Sequence, residues 1–424
     1  MSGWRKLLPV AIVVAVIAMA VWPRGAEAHG EHAQEGFLRM RTIAWVDTQF
    51  AGGVAEGVAP GIPYAAGAVP RVHMKRGDTL EIKGRFLVLD AWPAQLHQLP
   101  ARAFLNVAAF GPHFTVEERY INGVFTPGSF MLEKGRLYEY RMVLRARDEG
   151  EVHVHPVVNV RGVGPIVGPG QWVNIEGGSY SNPLTLWNGK TISDLETFGL
   201  NRIILWHALA ALFMVALVAY WVRKPLVRRS MVIADAGEEE AERLLLSRTD
   251  VLVTGGLALA AGLTVLIGWA VTKAQYNNLI PHQVIVTEPP KLEQAGPPVA
   301  ALATQARYNP LTAVLQMEVT VTNKGDTPVV PAQFTAAYLS FYNPSLRPDA
   351  SRKLTVVGSE VIAPGETRQL ILRMVDRAWE DEHLMELSQP QLRAAGALVL
   401  QDAFGRQTMV SVSPPALFPD FSLQ

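Results

Sequence analysis

The chain of 424 residues sets 38 Lys and Arg against 38 Asp and Glu, so no global positive field attracts nucleic acid and a nucleic-acid partner is disfavoured. Charged residues make up 18% and the apolar and aromatic set 49%, a balance that points to membrane segments added to ordinary globular domains. With no cysteine, disulfides, thiolate metal sites, iron–sulfur clusters and thiol nucleophiles are ruled out. Any metal must be held by His, carboxylate or main-chain groups.

In chain order, Arg5 and Lys6 precede an uncharged run over 7–21, and Ala26-Glu27-Ala28 then offers a small-residue cleavage site. The pattern reads as a secretory signal peptide over 1–28, because the apolar run is too short to span about 30 Å of hydrocarbon. Cleavage there makes His29 the first residue of the mature chain. Within 29–202, apolar and polar residues alternate over Thr79–Val88, 138–145 and 152–160, with turn signals at Gly77-Asp78, Asn122-Gly123 and Lys134-Gly135. Short strands between turns predict a β-sandwich. Two uncharged runs, 203–222 and 251–271, predict transmembrane helices. The connection 223–250 holds Arg223, Lys224, Arg228, Arg229, Arg243 and Arg248, so by the positive-inside rule it is cytoplasmic and the domains 29–202 and 272–424 lie on the extracytoplasmic side. In the latter, 315–321, 337–341 and 368–373 read as strands of a second sandwich. Residues 378–387 have helical character, and the proline-rich 287–298 reads as a linker or extended arm. The expected class is mainly β, two sandwich domains on a two-helix membrane hairpin.

Among ten histidines, two occur at Val152-His153-Val154-His155. On a strand the side-chain period is two, so His153 and His155 project from one face, close enough to chelate one ion; buried histidines that merely satisfy hydrogen bonds share this pattern. His29 adds weight, because an N-terminal histidine offers both a free amine and an imidazole nitrogen. Nitrogen-only ligation suits Cu(II), which leads the stability order for such sites, although the ligand types alone also admit zinc.

These residues sit among longer blocks: His29-Gly30-Glu31, Phe37-Leu38-Arg39-Met40-Arg41-Thr42, Asp90-Ala91-Trp92-Pro93, Leu144-Arg145-Ala146-Arg147, His153-Val154-His155 and the run from Gly164 to Trp172. Together with Trp206-His207, Asn323, Phe334-Thr335-Ala336-Ala337 and Ala378-Trp379-Glu380, they resemble the B subunit of particulate methane monooxygenase and ammonia monooxygenase. The resemblance covers essentially the whole mature chain. It implies two cupredoxin-like β-barrel domains joined by two transmembrane helices, partner A and C subunits in a trimer of heterotrimers, and a copper site from His29, His153 and His155. Glu31 stands where it can accept a hydrogen bond from a metal-bound imidazole or amine; the alternative is a solvated terminal charge. The chain departs from some methane-oxidising relatives at Ala44, where they carry a further metal-binding histidine, so that additional site is expected to be absent.

Other signals carry less. The glycines at 162, 164, 168 and 170 superficially resemble a phosphate loop, but Pro165 and Pro169 forbid the helix that should follow. His32, three residues after His29, is not part of a helical metalloprotease motif, since Gly30 disfavours helix. His73, His97, His113, His282 and His383 are isolated and read as surface or capping residues; His207, an ionisable group within a span, reads either as functional or, preferably, as a neutral imidazole hydrogen-bonded to a partner helix. The functional expectation is a copper-binding subunit of a membrane monooxygenase acting on methane, a short alkane or ammonia with O₂, inactive alone. The alternatives are a non-catalytic structural, copper-delivery or scaffolding subunit of the same complex, and a lytic polysaccharide monooxygenase, which also uses an N-terminal histidine but is disfavoured by the two spans.

Overall fold

In a computed structural model, which describes residues 35–59, 61–109, 111–185, 189, 191–224, 231, 234, 247–275, 286–386 and 392–418, the alternation over Thr79–Val88 forms a strand. It pairs antiparallel with Ile43–Ala51 on one side and Leu137–Ala146 on the other. Tyr64–Ala65, Phe114–Ile121 and Val124–Phe125 complete this sheet. Asn122 and Gly123 make the last turn with φ of 50° and 75°, the left-handed pair that a tight hairpin with the native twist requires. The facing sheet runs Ser129–Leu132, Ala101–Ala108, Gly150–Val160, Gln171–Gly178, Val72–Arg76 and Val54–Ala55. Between the two sheets lies one core containing Trp45, Phe50, Phe86, Phe130, Tyr138 and Tyr140.

The second half repeats the plan. One sheet orders Leu354–Val357, Thr367–Val375, Val314–Asn323, Val299–Asn309 and Ala416–Leu417; the other orders Leu339–Tyr342, Val329–Ala336, Gly396–Asp402 and Gln407–Val412. Phe341 stacks on Trp379 inside, with centroids 4.9 Å apart. Two local expectations are corrected here. Residues 337–341 are not one strand: Ala337 turns with φ of 52°, joining Val329–Ala336 to Leu339–Tyr342. The helical character read over 378–387 is confined to Ala378–Asp381, followed by turns through 385; Leu387 lies outside the described residues. The proline-rich arm is anchored on the first sandwich: Val286–Thr287 pairs in parallel with Ser129–Leu132, Asn122 donates to the Pro290 carbonyl at 2.7 Å and Arg136 to that of Pro289 at 2.6 Å.

The two sandwiches share a layer. In Ile43–Ala51, Ile43 and Trp45 enter the first core, while Ala44 and Val46 enter the second with Leu87 and Leu89. At about 1.5–3 kcal/mol for each large apolar side chain removed from water, this junction is a major part of the fold's stability. Polar bonds set its register: the Trp45 N–H donates to the Ala337 carbonyl at 2.6 Å, and Arg39 donates to Glu382 Oε2 at 3.1 Å and to the Glu382 carbonyl.

The residues Ser181–Gln283 form a separate compact unit. In it the helices Leu200–Val222 and Arg248–Gln275 are each long and apolar enough to cross a membrane. They pack through Gly268, where a Cβ would lie 2.8 Å from the Trp206 ring, and through Trp221, which donates to Thr254 Oγ1 at 3.0 Å. At one end the buried Asp250 carboxylate accepts from Tyr220 at 2.6 Å and pairs with Lys224.

The contacts at the shared layer can be tested by substitution. Glu382→Ala removes the carboxylate from a guanidinium whose side chain is 1% exposed and leaves it only the main-chain carbonyl, and a loss of about 3 kcal/mol in unfolding free energy is expected. Arg39→Met leaves a carboxylate 18% exposed that can turn to water, so it should cost less; chemical denaturation compares the two. Burial also pushes the Tyr64 and Tyr138 phenols up to about 12, against about 10 in an unfolded chain. Folding holds these phenols neutral, so stability is complete below pH 10 and falls as pH rises from there towards 12. In an alkaline titration, part of the phenolate absorbance should appear only together with the loss of near-UV circular dichroism.

Candidate metal centre

Gly150–Val160 changes neighbours at the histidine pair. On one edge it pairs with Gln171–Gly178 as far as Val154, opposite Gln171; on the other it pairs with Ala101–Ala108 only from His155 onward. The strand continues through Pro156, whose carbonyl accepts from the Gly168 N–H at 2.8 Å. The segment from Gly168 to Gly170 therefore runs directly against His155.

This placement orients both rings. His155 is 2% exposed, and its Nδ1 lies 2.9 Å from the Gly168 carbonyl. A carbonyl can only accept, so Nδ1 carries the proton and Nε2 presents a lone pair. That Nε2 is 2.9 Å from His153 Nδ1, with ring centroids 4.2 Å apart. His153, half-buried, is stacked at 4.7 Å on Trp172, its cross-strand neighbour. Trp172 thus restrains one ring and Gly168 the other.

The arrangement fits a nitrogen-ligated metal. For bonds of about 2.0 Å, adjacent positions of a tetragonal site lie about 2.8 Å apart, close to the observed separation of the two ring nitrogens. A ring N–H donated to a backbone carbonyl is also the usual support of a metal-bound imidazole. The third expected ligand, His29, and the expected hydrogen-bond acceptor, Glu31, lie outside the described residues, as do His32 and His282. Among the described residues no group of three or more His, Asp or Glu converges on one point. Ala44 is fully buried and belongs to the core of the second sandwich. His73 faces Glu56 at 3.7 Å, His113 packs over Gly150 and His97 over Gly162, and His383 bonds to Glu386 at 2.5 Å. His207 bonds to the Ile203 carbonyl of its own helix at 2.8 Å.

His153 also lines a cavity of about 600 Å³ between the two sandwiches, with Trp45, Asp47, Tyr338, Tyr342 and Arg347 among its walls. Two of the charges there have partners: Asp47 pairs with Arg85, and Arg347 lies 4.4 Å over the Tyr342 ring. Burial, with the Asp47 charge, raises the Tyr342 pKa and keeps its hydroxyl protonated.

The sequence profile of the monooxygenase B-subunit protein family matches residues 69–421. A protein of Methylococcus capsulatus named "Particulate methane monooxygenase alpha subunit" is 34% identical over 429 residues, covering 98% of each chain. The chain belongs to the monooxygenase B-subunit family. The family's name and the relative's name use different subunit letters for matching chains. Among solved structures, the cupredoxin domain of amoB from Nitrosocaldus yellowstonii is 20% identical and covers 35% of this chain and 96% of its own, at a TM-score of 0.24. The N-terminal periplasmic domain of ScsB from Proteus mirabilis is 8% identical, covering 88% of this chain and 99% of its own, at a TM-score of 0.18. Both likenesses are too slight to carry an argument.

In this member of the monooxygenase B-subunit family, the residues that sequence reasoning did not assign to the site are Gly168, Gly170 and Gln171. A Cβ on Gly170 would lie 2.3 Å from His155 Cε1, and one on Gly168 2.8 Å from the Trp45 ring. Neither glycine has a positive φ, so both are required for space and not for backbone freedom. Gln171, 1% exposed, donates to the Val69 carbonyl at 2.9 Å and accepts from the Gly67 N–H at 3.1 Å, which fixes the chain next to Gly170. The clustering of glycines after the His-x-His pair is the one sequence signal that could have found them. Gly170→Ala is expected to displace the His155 ring, destabilise the chain by about 1–3 kcal/mol and weaken metal uptake by about tenfold or more. Thermal unfolding and metal titration read the two effects separately.

Proposed function

We propose that this chain is the copper-binding subunit of a membrane-bound monooxygenase complex that hydroxylates a small substrate, methane, a short alkane or ammonia, with O₂. The observation that carries the reading is the facing pair His153 Nδ1 and His155 Nε2, 2.9 Å apart, in a chain of the monooxygenase B-subunit family. The name of the Methylococcus relative supports methane oxidation.

Copper would be held by His153, His155 and, once residues 1–28 are removed, the imidazole and free amine of His29, with Glu31 accepting a hydrogen bond from one ligand. This nitrogen-only set without thiolate suits copper and disfavours blue-copper electron transfer. Bound copper supplies the one-electron chemistry that O₂ requires. The chain's own residues supply the setting. Gly168 holds the His155 Nδ1 proton and so presents Nε2; the Trp172 ring restrains His153; Gly170 lets the His155 ring lie against the backbone. The cavity beside His153 leaves open space at the site.

The helices over 203–222 and 251–271 would span the bilayer, with 223–250 cytoplasmic and the cupredoxin-like domains 29–202 and 272–424 extracytoplasmic. The A and C subunits would complete a trimer of heterotrimers and contribute the substrate-facing helices, leaving this chain inactive alone.

The test is metal content and electron paramagnetic resonance of the purified complex, wild type against a His153→Ala/His155→Ala double variant. About one copper per chain with a nitrogen-rich tetragonal signal, lost in the variant along with hydroxylation, is the expected outcome. Unchanged copper would sink the ligand assignment. Copper lost with hydroxylation intact would leave a delivery or scaffolding role.

A further inference from the structure

We propose that Arg41 and Arg393 form a binding site for a phosphoryl oxyanion in the cleft where the two sandwiches meet. The cleft, of about 460 Å³, is lined by Arg41, Asp90, Trp92, Arg393, Ser411 and Ser413 among others. Arg41 comes from the last turn of the helix Gly36–Thr42, and Arg393 from the far side of the second sandwich's chain.

Each guanidinium is tied at one point to the main chain. Arg41 Nε donates to the Ala91 carbonyl at 3.2 Å, and Arg393 Nη1 to the Ser413 carbonyl. A guanidinium has five N–H donors, so most of each remains to be used, and neither has a carboxylate within ion-pairing distance among the described residues. Arg41 is only 9% exposed. Burial, and then the facing Arg393 charge, lower its pKa from the ordinary arginine value. Two like charges are therefore held together in a partly desolvated cleft, and an anion between them would relieve both penalties.

The donor set identifies the anion. One planar arginine fork satisfies the two oxygens of a carboxylate, whereas two forks with added hydroxyls match the three or four oxygens of a tetrahedral phosphoryl group. Ser411 Oγ accepts from the Asp90 N–H at 3.0 Å, which leaves its own hydrogen to donate. Asp90 is the one acidic wall. Its carboxylate is turned to Gly135, with Oδ1 3.1 Å from where a Cβ there would stand. The rim is open at Leu302, 67% exposed, so a free phosphate ion or a phosphate borne on a lipid headgroup can reach the pair.

This site does not depend on the metal reading, and its test needs no activity. The purified complex in phosphate-free detergent buffer is titrated calorimetrically with inorganic phosphate, against chloride at equal ionic strength. In parallel, complex reconstituted in phosphatidic acid vesicles is compared with complex in phosphatidylcholine vesicles by thermal unfolding. Saturable phosphate binding assigns the free ion, and stabilisation confined to phosphatidic acid assigns the headgroup. In either case Arg393→Gln and Arg41→Gln should each weaken the effect about tenfold or more, and Arg393→Lys should retain part of it. In anion-free buffer, Arg393→Gln should change the unfolding temperature little, because relief of the like-charge contact with Arg41 offsets the lost bond to the Ser413 carbonyl. A response unchanged in both glutamine variants, or no response in either arm, overturns the proposal.

Discussion

Strand Ile43–Ala51 has no exposed residue, and the architecture of both sandwiches depends on that. Ahead of the bulge between Val46 and Gln49, Ile43 and Trp45 close the first core while Ala44 and Val46 close the second, and beyond it Phe50 returns to the first. A strand normally has one wet face, so its burial on both sides binds two sandwiches that would otherwise be independent units. Removing the second sandwich would expose Ala44, Val46, Leu87 and Leu89 together. The buried Arg39–Glu382 contact and the Trp45–Ala337 bond supply direction where apolar contact alone supplies none.

The same layer supports the histidine pair. Trp45 closes the first core against Phe86 and Tyr140, each 5.4 Å away, and lies beside Gly168, whose carbonyl sets the His155 tautomer. From the shared strand to the histidine pair there are therefore only two packed contacts. A nitrogen ligand needs a defined proton on its other nitrogen and a ring that does not swing. The Gly168 carbonyl supplies the first for His155, and stacking on Trp172 supplies the second for His153. The cavity beside His153 and the arginine cleft both occur at the seam between sandwiches.

How much of this was legible varies with the kind of signal. Thr79–Val88, Val314–Asn323 and Thr367–Val375 were readable because one face of each strand is more polar than the other, and alternation records that difference. Ile43–Ala51 gave no such signal, since burial on both faces removes the alternation. Residues 337–341 misled because an apolar run can cross a tight turn, and only the positive φ of Ala337 separates its two strands. The helical signature over 378–387 was overruled after one turn, where the buried Trp379, Leu384 and Met385 favour turns that close onto the second core.

The sequence by itself determined the two long apolar helices, the mainly β class and the His-x-His pair. These rest on composition and on the two-residue period of a strand, which are local properties. Tertiary structure decided the rest. Which imidazole nitrogen is free depends on a carbonyl 13 residues away in sequence, and the need for glycine at 170 depends on a ring from another strand. The meeting of Arg41 with Arg393 depends on the packing of one sandwich against another. Such contacts are set by how separate strands come together in space, and no pattern of neighbouring residues encodes them.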